Sequence, residues 1–174
     1  VEALRSDDEY IVSKAIWALG ELKDKRAVKP LIEMLKFDFE ASDLPLYALH
    51  SIIKSDDTAI NDVIEMLKSK KREEQILAIR AVPYLRDRRL VEVLIRLLGS
   101  GDGGVREVAA NALGKVRDKR ALKPLLRALR DEFCLVRAEA AEALGILGDK
   151  QAVEPLIRML KDEAICVRDA AVRA

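Results

Sequence analysis

The chain has 174 residues, with 31 Lys and Arg against 30 Asp and Glu, half of its residues hydrophobic and only 4% aromatic. Near-neutral charge without an aromatic platform argues against nucleic acid as the partner, and two cysteines do not make a disulfide framework. No apolar run approaches the roughly 18 residues of a membrane span and no basic-then-apolar leader opens the chain, so a soluble, cytoplasmic protein is expected.

Residues 1–5, VEALR, read as the end of a helix, because Leu4 precedes Gly20 by 16 residues just as Leu129 precedes Gly145. Residues 6–36 contain ALGELKDKRAVKPLIEMLK, and nearly the same words return in 100–130 as ALGKVRDKRALKPLLRALR and in 131–161 as ALGILGDKQAVEPLIRMLK. Between them, 37–68 and 69–99 keep the length and lose some of the pattern. Residues 162–174 begin one more copy. The column Pro30, Asp62, Val93, Pro124, Pro155 advances in steps of 32, 31, 31 and 31 residues, which is the signature of a stacked supersecondary unit. Both ends cut through a copy, so the chain reads as part of a longer array, with self-association through open repeat ends as the other reading.

Each copy predicts two short helices. In 131–161, Val136, Ala140, Ala141 and Leu144 form an apolar stripe at helical spacing, and the small residues allow close helix approach. Gly145 and Gly148 suit a left-handed helix end, and Asp149 suits the cap of the next helix. Val153, Leu156, Ile157 and Leu160 recur at i, i+3, i+4 and i+7 and predict a buried second-helix face, with Pro155 early in that helix.

The motif VR-x-x-A-A-x-A-L-G followed by D-x-x-A-V-x-P-L resembles the HEAT-like repeats of the phycobilisome-lyase type, most strongly over Val105–Arg130 and Val136–Lys161. The resemblance implies an all-α, right-handed solenoid of about five helix pairs over residues 1–174, with second helices lining a concave side. It also brings the alternative of a subunit of a bilin-lyase-type enzyme complex.

Several residues stand out against the repeat. Trp17 falls in an outward column, as a partner contact or, the preferred reading, folded down over the preceding helix. Phe37, Phe39 and Tyr47 form a second apolar candidate at a turn edge, or fill space left by missing alanines. His50 has no ligand-type residues at metal spacing, and no catalytic pair, cofactor motif or metal cluster is visible. Lys70, Lys71 and Arg72 read as a solvated turn, and Ser100–Gly104 lacks the strand and the Gly-Lys-Ser/Thr of a phosphate loop. Arg106, Arg137 and Arg168 share a column beside Asp118 and Asp149 and predict a structural hydrogen-bonded ladder. Cys134 and Cys166, near the starts of successive first helices, read as reduced, small apolar residues.

The functional expectation rests on charge. One second-helix column reads Glu33, Glu65, Arg96, Arg127, Arg158, and another ends in Arg130 and Lys161. Residues 1–87 hold 14 cations against 17 anions and residues 88–174 hold 17 against 13, so the sign changes midway. Such a groove suits a protein partner with an acidic segment, bound without catalysis, better than it suits nucleic acid.

Overall fold

The computed structural model describes residues 2–36 and 43–174; Phe37 and Phe39 lie outside them. The described residues are helical with no strand: α1 (Glu9–Leu22), α2 (Val28–Glu33), α3 (Leu44–Ser55), α4 (Ile60–Leu67), α5 (Arg72–Leu85), α6 (Arg88–Leu97), α7 (Gly103–Val116), α8 (Leu122–Ala128), α9 (Cys134–Leu147), α10 (Val153–Met159) and α11 (Ile165–Arg173). Two compact units result, Val1–Leu85 and Arg86–Ala174, so that the 69–99 repeat gives α5 to the first and α6 to the second. In the first unit α3 packs on both α1 and α5; in the second, α9 packs on both α7 and α11. The fold is an all-α solenoid in which each helix pair buries its faces against its neighbours.

Local chemistry explains the regular helix starts. Asp24, Asp87, Asp118 and Asp149 each accept a hydrogen bond from the backbone N–H two residues on, at 2.8–2.9 Å, satisfying a donor at the entry to the second helix. The residue before each of these aspartates is left-handed: Lys23, Arg86 and Arg117 at φ 54°, 54° and 56°, and Gly148 at φ 68°. Gly145, expected at the helix end, instead lies inside α9. A Cβ there would stand 2.6 Å from the Ala174 Cα, and one on Gly114 would stand 2.7 Å from the Ala143 Cα. Close helix approach therefore requires these glycines. Pro83 occupies the corresponding column in α5, and that helix continues through it to Leu85.

The cores differ in content. The first unit buries Ile16, Leu31, Ile32, Leu49, Ile52, Ile60, Met66, Leu67 and Ile79, while the second buries many alanines, among them Ala109, Ala110, Ala140 and Ala141, around Leu90, Leu94, Leu113 and Leu125. The buried second-helix face expected in α10 is not found: α10 has no buried residue and Leu156 is half-buried. Its counterpart α8 packs along α9, and Leu122 is 7% exposed where Val153 is 52% exposed. The sequence stripe is the same; the cover over it is not.

Candidate functional site

The second unit is held in register by its arginine column. The Arg106 guanidinium grips Asp131 through Nε at 2.8 Å and Nη2 at 2.9 Å, and donates from Nη1 to the Ser100 carbonyl at 2.8 Å. Arg137 repeats the arrangement on Asp162, at 2.9 Å through both nitrogens, with Nη1 donating to the Asp131 carbonyl at 2.8 Å. Arg168 makes the carbonyl bonds alone, to Asp162 at 2.8 Å and Glu163 at 2.9 Å. The ladder is present, but its carboxylates are Asp131 and Asp162. Asp118 and Asp149 are occupied in capping. The side chains of Arg106 and Arg137 are 8% and 10% exposed, and planar forks paired bidentately are the form in which buried charge is tolerated.

These contacts shift the acids. Burial works to raise the Asp131 carboxyl, but Arg106, the Phe133 N–H and Arg137 outweigh it and hold it below the usual range. The Arg137 hydrogen bonds lower Asp162 in the same way, against its burial. The Arg120 side chain holds Asp118 down to about 2. All three remain ionised at neutral pH.

On this frame stand the predicted cations. Arg96 in α6, Arg127 in α8 and Arg158 in α10 are exposed, one per helix, and Arg130 and Lys161 follow α8 and α10, also exposed. None of the five side chains has a hydrogen-bond or ion-pair partner among the described residues. The structure adds Lys119 and Lys123, exposed at four-residue steps before Arg127. Lys123 and Arg127 thus share one face of α8, and Lys119 lies in the 3-10 turn that leads into it. The four-residue spacing of these cations is present in the sequence itself. The second helices of this unit also carry Glu92, paired with Arg120 at 3.1 Å, and Glu154.

The first helices of the same unit carry acids as well as the exposed cations Lys115 and Arg173. Glu139 accepts from Asn111 at 2.8 Å, Glu142 pairs with Arg173, and Asp169 is exposed in α11. The second helices of this unit are therefore the more strongly cationic set, while the first helices are of mixed sign.

The remaining predicted residues belong to the first unit. Glu65 is exposed in α4 and pairs with Lys29 at 3.3 Å. Glu33 lines a cleft of about 510 Å³ with Lys36, Lys71 and Glu73 over Met66 and Leu77, a wall of mixed sign. Trp17 is 57% exposed, against the reading that it folds over the preceding helix, and Tyr47 is exposed as well. His50 is half-buried. No group of three or more metal-ligating side chains gathers among the described residues, and no described helix is long and apolar enough to cross a membrane.

Comparison with known proteins settles the family. The HEAT-repeat model matches residues 60–133 and 122–174, and the PBS lyase HEAT-like repeat model matches residues 12–37. The chain belongs to the HEAT-repeat family. Among solved structures it is similar to the complex of CpcE and CpcF of phycocyanin lyase from Nostoc sp. PCC7120, at 22% identity and a TM-score of 0.53, over 98% of this chain and 72% of that one. It is also similar to human deoxyhypusine hydroxylase in complex with glycerol, at 19% identity and a TM-score of 0.58, over 99% of this chain and 80% of that one. A designed armadillo repeat protein in complex with the peptide (KR)4 matches at 17% identity and a TM-score of 0.54, over 98% and 94%. These likenesses establish the HEAT-type solenoid fold alone. A search of curated proteins finds no matching relative.

Proposed function

We propose that this HEAT-repeat chain is a non-catalytic protein-binding scaffold that holds an acidic segment of its partner on the second-helix side of residues 86–174. The observation that carries the reading is the set of exposed cations Arg96, Arg127 and Arg158, one on each successive second helix, whose side chains have no partner among the described residues, flanked by Lys119, Lys123, Arg130 and Lys161. Bidentate Arg–Asp junctions fix the helices that bear them. Charges presented on a rigid frame lose little entropy on binding and steer a complementary partner. Glu33 and Glu65, on the other unit, have no part in this reading; Trp17 and Tyr47 are offered as a secondary contact.

The test is titration of a fluorescent glutamate-rich peptide onto the native chain and onto the double reversal Arg127→Glu/Arg158→Glu. The reversal should leave the circular dichroism spectrum and melting unchanged and weaken binding at least tenfold, about 1.4 kcal/mol. Unchanged binding would overturn the proposal. Equally tight capture of single-stranded nucleic acid, with a steep salt dependence, would favour that class instead. The other reading, a subunit of a bilin-lyase-type or other protein-modifying complex, is supported by the PBS lyase HEAT-like match at residues 12–37. Chromophore transfer by a complex containing this chain would establish it.

A further inference from the structure

Cys134 is the first residue of α9 and Cys166 the second of α11. In sequence they are one position out of repeat register, since residues 31 apart are equivalent while these are 32 apart. Packing nevertheless makes α9 and α11 direct neighbours. α9 and α11 lie side by side along their whole lengths: Glu142 reaches Arg173 across the pair, and Gly145 meets the backbone of Ala174 near the far end. At the near end Arg137 of α9 grips Asp162, four residues before Cys166. The two sulfurs therefore share the first turns of neighbouring helices, both half-buried and neither in a disulfide.

We propose that Cys134 and Cys166 are a dithiol modification site, closed to an intramolecular disulfide by exchange with a small disulfide oxidant and reopened by a thiol reductant. The Cys134 thiolate attacks one sulfur of the oxidant, whose other half leaves as a thiolate and takes up a proton. The Cys166 thiolate then attacks the Cys134 sulfur of the mixed disulfide and expels the second half in the same way. The protein pair is oxidised by two electrons and the oxidant is reduced to two thiols.

The order of attack follows the surroundings. Burial, together with the adjacent Cys134 sulfur, pushes the Cys166 thiol up and holds its proton. Cys134 has the guanidinium of Arg137 one turn along its helix, fixed on Asp162. Closure would tie α11 to α9 beside the Arg137–Asp162 junction, making the last helix pair a covalent loop and restricting its unfolded state.

The experiment uses the whole reduced chain and oxidised glutathione, followed by denaturation, alkylation and intact-mass measurement. The native chain should lose both alkylatable thiols, carry no glutathione, stay monomeric and melt at a higher temperature than the reduced chain. Cys134→Ser and Cys166→Ser should each retain one cysteine that accumulates a mixed disulfide with glutathione. A native chain that keeps both thiols, or that carries glutathione on both without closing, would overturn the proposal, as would a disulfide between two chains.

Discussion

The two units solve the same packing problem differently. In the first, large aliphatic side chains such as Ile16, Leu49, Ile52 and Ile79 fill the space between helices, and the position equivalent to Arg106 is Gln75, whose amide donates a single bond to the Leu67 carbonyl at 2.8 Å. In the second, alanines and glycines bring helices close, and buried Arg–Asp pairs fix the register. Bulky interlocking side chains define a register by shape. A smooth alanine surface does so less well, and a directional, bidentate ion pair supplies the missing specificity. Regular repetition in the second unit is thus accompanied by polar junctions, and it is there that successive second helices each expose an arginine whose side chain has no partner among the described residues.

The sharpest way to break this comparison is to remove a junction. Arg137→Met leaves Asp162 without its guanidinium and should cost about 3–5 kcal/mol, whereas Gln75→Ala in the first unit should cost about 1 kcal/mol; equal losses in denaturant unfolding would show that the second unit does not depend on its ladder. Within the second unit, Leu125→Ala at a fully buried site should cost about 2–5 kcal/mol. Leu156→Ala, at the equivalent but half-buried position, should cost roughly half as much, because part of the side chain already faces solvent. Similar values for the two would mean that α10 is covered as fully as α8.

Acid should act on the same junctions. Asp118 is held down to about 2 by Arg120, and Asp131 and Asp162 are lowered by Arg106 and Arg137, against unfolded values near 3.9. Folded values below the unfolded ones mean stability that is complete above about pH 4 and lost as pH falls toward about 2. Melting temperatures across that window should drop, and Asp118→Asn should shrink the drop. The smallest expected effect is a gain. Arg117 takes the left-handed turn that Gly148 takes one repeat later, so Arg117→Gly should stabilise by about 0.5–1 kcal/mol in thermal unfolding; a loss would show that the Arg117 side chain matters more than its backbone strain.

Much of the fold was legible because its signals are local. The period, the aspartate that opens each second helix and the apolar stripe of α9 are set by residues within a few turns of one another. The cationic column was legible for the same reason, since equivalent positions in a repeat fall on equivalent helices. What could not be read from this one sequence is which residue meets which across 25 to 32 positions. Asp118 and Asp131 are both plausible partners for Arg106, and only the stacking of α7 on α9 chooses Asp131, because Asp118 is already turned to its own cap. Gly145 reads as a helix end until Ala174 is seen against it. Trp17 lies outside the core, and Leu156 is only half-covered, because exposure belongs to the neighbour rather than to the residue. The sequence by itself determined the repeat, its helices and their caps, since these depend on backbone hydrogen bonds and short-range spacing. The tertiary structure decided the ion-pair partners, the placing of the two cysteines on neighbouring helices and the cover over each apolar stripe, since each depends on helices packed from separate repeats.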